Sequence, residues 1–254
     1  MTTMGTKAAY RHCLQKTRAH YENFPVAAIF LGSGLKKAIS AVYAFARAAD
    51  DIVDENIYPT QKTKQQALSA FRAELYNTQS QDPIFIALHH SIQTYQLPLD
   101  LFSALLDAFE QDIYKFSYQN DAELLAYCSK SANPIGRILL HLTQNKNPKS
   151  FLLSDMICTG LQLINFIQDL KSDIQERQRY YVPKGQSIAQ QIERAEAFIL
   201  AGRNLPDFID HWGLKIQVKL VINLALKMLK KLKNRRSEWE RPTLKWWEFV
   251  TGML

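Results

Sequence analysis

The sequence predicts an all-α chain, and three observations carry that prediction. Nine glycines in 254 residues is about half the usual frequency of roughly 7%. Few stretches alternate apolar with polar residues, so hairpins and sheets have little support. Apolar residues recur instead at helical spacing, most plainly in Gly160 to Pro183, GLQLINFIQDLKSDIQERQRYYVP, through Leu161, Ile164, Phe166, Ile167, Leu170 and Ile174. At 47% hydrophobic the chain can bury one large core, and its length suits a single domain over 1–254.

The elements follow in order. A helix is expected from Lys7 to His20, then a loop at Tyr21-Glu-Asn-Phe-Pro25, because the proline turns its predecessor away from helical angles. Ile29 to Gly34 forms a short turn whose glycines can cap, and Lys36 to Glu55 is the second helix. Tyr58-Pro59 separates it from Gln61 to Thr78, an amphipathic helix through Ala67, Leu68, Phe71 and Leu75. Pro83 suits the first position of a helix over Ile84 to Tyr95. His89 and His90 in it have no acidic or cysteine neighbours at ligand spacing, so they are read as a surface or core pair rather than as metal ligands. Pro98 to Phe116 is amphipathic through Leu101, Leu105, Leu106 and Phe109. A helix from Asp121 reaches Ser131, where Asn133-Pro-Ile-Gly136 marks a break or kink that lets a backbone or a ligand come close. After a turn at Asn145 to Pro148, one long helix carries the stretch quoted above. Ser187 to Ala201 and Leu205 to Lys233 complete the set.

Polar residues on that long helix do not form a random solvated face. Gln162, Asn165, Asp169 and Asp173 step three or four residues at a time. Like charges one turn apart repel by about 0.2–0.5 kcal/mol, so a bound cation is one reason to place Asp169 and Asp173 there. A second such pair, Asp50 and Asp54, closes the helix Tyr43-Ala-Phe-Ala-Arg47-Ala-Ala-Asp50-Asp-Ile-Val-Asp54. Carboxylates at a helix C-terminus oppose its dipole, at a cost of about 0.3–1 kcal/mol. Two such helices could face each other across a cleft with metal ions between them. Mg²⁺ suits the donors, because it takes one or two carboxylates, keeps waters and fills its other positions with phosphate oxygens.

Composition narrows the partners. The formal net charge of +7 admits nucleic acid, an anionic membrane or an anionic substrate. Much of the charge lies late, in Lys227, Lys230, Lys231, Lys233, Arg235 and Arg236, without the interleaved aromatics of a nucleic-acid groove, which argues against nucleic acid. Trp239, Trp246 and Trp247 follow, so this tail could touch an anionic bilayer; a core helix with a solvated basic edge and packed tryptophans is the alternative. Cys13, Cys128 and Cys158 have neither disulfide nor zinc spacing. No leader-like segment opens the chain and no run of 18 uncharged apolar residues occurs, so a cytoplasmic, soluble or peripheral protein is expected.

Together the two acidic clusters resemble the squalene and phytoene synthase family, whose members join isoprenoid diphosphates head to head. Arg47 with Asp50-Asp-Ile-Val-Asp54 is similar to its first aspartate-rich motif. Gly160, Gln162, Asn165, Asp169, Asp173, Arg179, Tyr181 and Pro183 follow its second signature in order, and the resemblance runs from about His12 to Pro242. It implies the class I isoprenoid synthase bundle, with Asp50, Asp54, Asp169 and Asp173, together with Asn165, holding Mg²⁺ against a diphosphate. It further implies that Arg47 and Arg179 bind phosphate oxygens bidentately, that Gln162 and Asn165 complete a polar wall, and that His20, Asn23, Tyr43 and Tyr181 contact substrate.

Departures from the family pattern refine this. Gln168 stands where most members carry Arg, and Lys130 stands where squalene and phytoene synthases carry a Tyr implicated in the first condensation. These replacements, with His20-Tyr-Glu-Asn-Phe-Pro25 and Ser131-Ala-Asn-Pro-Ile-Gly-Arg137, look most like the hydroxysqualene synthases of bacterial hopanoid pathways. The implied reaction ionises presqualene diphosphate and quenches the cation with water, with Lys130 in the catalytic set and Phe24, Phe45 and Phe166 as tunnel liners or as packing. Two alternatives stay open. One is a prenyl transferase joining two farnesyl diphosphates to presqualene diphosphate, squalene or a carotenoid precursor. The other is a non-enzymatic assembly partner of such an enzyme, and a functional partnership with other squalene-pathway enzymes is compatible with each reading.

Overall fold

The structure is a computed structural model that describes residues 5–19, 31–55 and 57–244. His20, Asn23 and Phe24, and Trp246 and Trp247, lie outside the described residues. Among those described, every regular element is helical, with one isolated parallel bridge between Ser117 and Tyr180.

The chain divides into two compact units, Met1–Tyr114 with His141–Gln144, and Lys115–Leu140 with Asn145–Leu254. The first contains α1 (Thr6–Ala19), α2 (Ser33–Asp54), α3 (Gln61–Tyr76), α4 (Pro83–Tyr95) and α5 (Leu99–Tyr114). Local sequence sets the starts of α3 and α4. Thr60 and Thr63 form a reciprocal cap on α3, and the Asp82 carboxylate accepts the Ile84 amide ahead of Pro83. Small residues on α2, Ala38, Ala41, Ala44 and Ala49, are fully buried and bring α1 and α4 close to it. Phe45 is also fully buried, its ring 5.4 to 6.0 Å from those of Phe71, Phe85 and Phe102. Packing is therefore its role. His89, half-buried, bonds the Leu75 carbonyl, and His90, exposed, bonds the Tyr10 hydroxyl, so each histidine has a structural partner.

The second unit holds α6 (Asp121–Ser131), most of α7 (Asn133–Leu142), α8 (Pro148–Gln168), α9 (Leu170–Arg177), α10 (Ile188–Gly202) and α11 (Trp212–Lys233). Helix α8 is its axis. By length and composition alone it is apolar enough to cross a membrane, although Lys149 and Asp155 interrupt it as expected, and half of its apolar window is buried inside the protein. Three glycines let neighbours approach it. A Cβ on Gly136 would sit 2.6 Å from Cys158 Sγ, one on Gly160 would sit 2.8 Å from Ile199, and one on Gly202 would meet the Leu153 carbonyl at 2.8 Å. The expected break near Asn133 is present at Ala132, and what comes close at Gly136 is α8 itself.

Two expected boundaries differ. The long helix does not run through Asp169, where the backbone leaves helical angles (φ −95°, ψ 10°) and separates α8 from α9. Leu205 to Lys233 is not one helix either: Leu205–Phe208 is a short 3-10 turn, and α11 restarts at Trp212, where the His211 ring accepts the Leu214 amide. That side-chain cap and the extended Ile209 end the turn before it can propagate.

Candidate active site

The first acidic cluster closes α2. Arg47 is the hub, with Nε 2.6 Å from Asp51 Oδ1, Nη1 3.2 Å from Asp50 Oδ2 and Nη2 4.0 Å from Glu55. Lys16 of α1 reaches the other Asp51 oxygen at 3.3 Å, and Lys64 of α3 donates to the Val53 carbonyl in the last turn of α2. The protein's own cations thus offset much of the unfavourable charge at this helix end. Asp51, the acid off the four-residue spacing, ties α1 to α2 and fixes the Arg47 fork, while Asp50 and Asp54 remain partly solvated. Tyr43, half-buried one turn before Arg47, has its hydroxyl pKa pushed up by burial, with Arg47 opposing and Asp50 and Asp51 adding to the shift.

The second cluster lies around the α8–α9 break. Gln162 is half-buried and Asn165 exposed on the last turns of α8, Asp169 occupies the break, and Asp173 is buried in α9. Burial pushes the Asp173 carboxyl up to about 6; Arg177, whose Nη1 lies 2.9 Å from Oδ1, lowers it, and Asp169 raises it. Gln178 then takes a left-handed conformation (φ 57°) that turns the chain out of α9. Arg179 to Lys184 run beside residues 116–118, with the Tyr180 amide on the Phe116 carbonyl at 2.8 Å and the Lys184 amide on the Tyr118 carbonyl at 2.9 Å. This places Arg179 in the interior, 7% exposed, and lays Tyr181 face to face on Phe166 at 3.8 Å and 6°. Tyr118 and Tyr127 complete a buried aromatic cluster around that stack, so Phe166 is held by packing. Lys130 is exposed near the end of α6.

Sequence reasoning missed the C-terminal segment that lies over the break. Arg241 Nε donates to Asp169 Oδ1 at 2.6 Å, Gln168 Nε2 to the Pro242 carbonyl at 2.8 Å, and Arg235 Nη1 to the Ile167 carbonyl at 3.3 Å. The chain thus places an arginine beside Asp169 from 72 residues downstream. No local pattern announces such a pairing. The role of Lys16 on Asp51 was hidden for the same reason, whereas the Arg47–Asp51 spacing of four was legible.

The donor chemistry fits Mg²⁺. Among the described residues no group of three or more His, Cys, Asp or Glu side chains could hold an ion unaided. Mg²⁺ asks for fewer, one or two carboxylates with water and phosphate oxygens completing the shell. A buried Asp173 carboxylate raised in pKa and repelled by Asp169 is also a group that a divalent cation relieves. Without metal it is a liability. Its raised folded-state value means that the folded protein binds more protons than the unfolded chain between about 4 and 6, so this aspartate destabilises increasingly as pH rises through that window. In chelator at neutral pH, Asp173→Asn therefore raises stability by about 1–2 kcal/mol, or about 3–6 °C in the melting temperature, and the advantage fades below pH of about 4. Melting curves across pH check this, and an unchanged or lower midpoint at neutral pH contradicts it.

A model of the squalene/phytoene synthase family matches residues 17–186 of the chain. A protein named hydroxysqualene synthase from Rhodopseudomonas palustris is 29% identical over 90% of this chain and 85% of its own length. Another of that name from Zymomonas mobilis is 33% identical over 64% of this chain, a match spanning 54% of that relative. The crystal structure of the squalene synthase HpnC from Alicyclobacillus acidocaldarius superposes with a TM-score of 0.82 at 30% identity, covering 90% of this chain and 94% of that one.

Proposed function

The chain belongs to the squalene/phytoene synthase family, whose members act on isoprenoid diphosphates, and from that premise we propose that it converts presqualene diphosphate and water to hydroxysqualene and diphosphate. The observation that carries the reading is the similarity, over most of the chain, to a relative named for that reaction. Lys130 supports it, because condensing relatives carry a tyrosine at this position and an ammonium puts a positive charge where they have a neutral phenol. The HpnC relative, called a squalene synthase, favours a second reading in which farnesyl diphosphate is condensed first.

In the proposed reaction the carbon–oxygen bond to diphosphate breaks with both electrons leaving on oxygen. A water oxygen then bonds to the rearranged cation and releases a proton. Bound Mg²⁺ supplies Lewis-acid stabilisation of the departing diphosphate. Asp50, Asp54, Asp169 and Asp173, with Asn165, are the residues that would hold it; they are not general bases. Arg47 and Arg179 bind phosphate oxygens, and for Arg47 the fork is already oriented by Asp51. Gln162, Asn165 and Tyr43 line the polar side of the substrate, as do His20 and Asn23 from the segment outside the described residues. The cluster of Tyr181 and Phe166 with Tyr118 and Tyr127 keeps bulk water from the adjoining face. We further propose a cytoplasmic setting for this reaction, in which substrate and product meet other enzymes of the squalene pathway.

Separate incubations with presqualene diphosphate and with farnesyl diphosphate, with product identification by mass, test the assignment. Hydroxysqualene from the first without NADPH, and no consumption of the second, is expected. Rapid formation of presqualene diphosphate from farnesyl diphosphate establishes the condensing reading instead.

A further inference from the structure

The net charge of this protein has one address. His211 to Arg236 contains eight basic residues and no acidic one, against 31 and 24 for the whole chain, which leaves 23 basic and 24 acidic residues everywhere else. Helix α11 carries six of the eight, Lys215, Lys219, Lys227, Lys230, Lys231 and Lys233, with no carboxylate along its 22 residues. A helix packed in a protein core has no need of such one-sided charge, since lysines on an outer face are normally interleaved with acids that pair with them.

The placement of the side chains adds a second observation. One face of α11 is core: Leu214, Leu220, Leu224, Met228, Leu229 and Leu232 are buried. Trp212, Ile216, Lys219, Asn223, Lys227 and Lys230 are spaced by three or four residues and so fall on one stripe of the opposite face. At the head of that stripe Trp212 is 62% exposed and Ile216 36% exposed, an apolar pair one turn apart and turned away from the core. Beyond its tail, Trp239 is 54% exposed, so it does not pack on the bundle as the alternative drawn from sequence required. The helix is about 33 Å long at 1.5 Å per residue. A straight stripe of that length with tryptophan at one end, lysines along it and further arginines and tryptophan past the other matches the composition of a helix lying in a membrane interface.

We propose that the outer face of α11 docks on an anionic lipid bilayer, with Trp212 and Ile216 seated at headgroup level and Lys215, Lys219, Lys227 and Lys230 over the anionic headgroups. Charge complementarity selects this occupant. A negatively charged leaflet attracts lysines cooperatively over a flat area, and the indole and isoleucine then bury against acyl chains, a combination that neither a soluble acidic protein nor a small anion satisfies. Asp207 and Asp210 lie just before the helix and Glu196 of α10 pairs with Lys233 at 2.6 Å, which confines the docking face to the stripe between these ends. The residues of this face are separate from those assigned to the reaction, so the inference stands or falls independently of the substrate.

Co-sedimentation of the full chain with vesicles of phosphatidylglycerol and phosphatidylcholine, against vesicles of phosphatidylcholine alone, tests the proposal. Binding to the anionic vesicles only, weakening with salt, is expected. Lys215→Gln, Lys219→Gln and Lys230→Gln together lower the partition coefficient roughly 100-fold, given the contribution of each basic residue near a charged surface. Trp212→Ala with Ile216→Ala lowers it roughly tenfold at unchanged charge, from the lost apolar burial. Melting curves matching the parent confirm that each variant is folded. Absence of vesicle binding, equal binding to neutral vesicles, folded variants that bind like the parent, or binding of duplex DNA in place of vesicles through the same lysines would each overturn it.

Discussion

Asp50→Ala or Asp169→Ala lowers turnover of the isoprenoid diphosphate by about 10²–10³-fold or more, the scale expected when one preorganised stabiliser of developing charge is removed. Helix content stays at the parent level, because both side chains lie near helix ends and neither is part of the core. Each variant also removes a repulsive neighbour and one arginine ion pair, that of Arg47 or of Arg241, so a loss of activity without a loss of fold separates a ligand role from a structural one. Chelation of Mg²⁺ produces the same phenotype reversibly. Loss of the circular dichroism signal in chelator contradicts it, since a structural metal is one whose removal melts the domain. Near-parental turnover in either aspartate variant removes the diphosphate-binding role assigned here.

Gly202→Val has the largest expected effect on stability. A Cβ at this position stands 2.7 Å from two carbons of Ile157 and 2.8 Å from the Leu153 carbonyl, so the backbone of α8 must move away from α10. Overpacking of this kind costs about 1–3 kcal/mol or more, and the α8–α10 contact is the most extensive in its unit. A fall of about 4–10 °C in the melting temperature is expected. Gly5→Val, with nothing within 4 Å of its Cβ, is the control and melts with the parent.

The helical class was legible because periodicity is local, and so were most element starts: Thr60, Asp82 and Ser187 announce their helices by cap chemistry, and Pro83 and Pro148 by position. The break at Asp169 was not. Nothing in Ile167-Gln-Asp-Leu170 is a helix breaker, and the interruption coincides with contacts made by Arg235, Arg241 and Pro242 from far downstream. Within the site, the aspartates themselves could be read from their spacing of four. Their partners could not, since Lys16, Lys64 and Arg241 reach them from other elements. Gly160 was legible as a member of a signature but not as a contact; its reason is the Ile199 side chain against it. The lysines of α11 were visible in sequence as a late basic cluster. That Trp212 and Ile216 share their outer stripe required the register of the helix, which begins seven residues later than the sequence indicated.

In the proposed reaction the carbon–oxygen bond of presqualene diphosphate breaks and water reaches the cation, and labelled water tests this directly. In water enriched in oxygen-18, with Mg²⁺ and without NADPH, hydroxysqualene carrying one label per molecule and unlabelled diphosphate are expected. An alcohol without label, with the heavy oxygen on the diphosphate, places the cleavage at phosphorus and contradicts it.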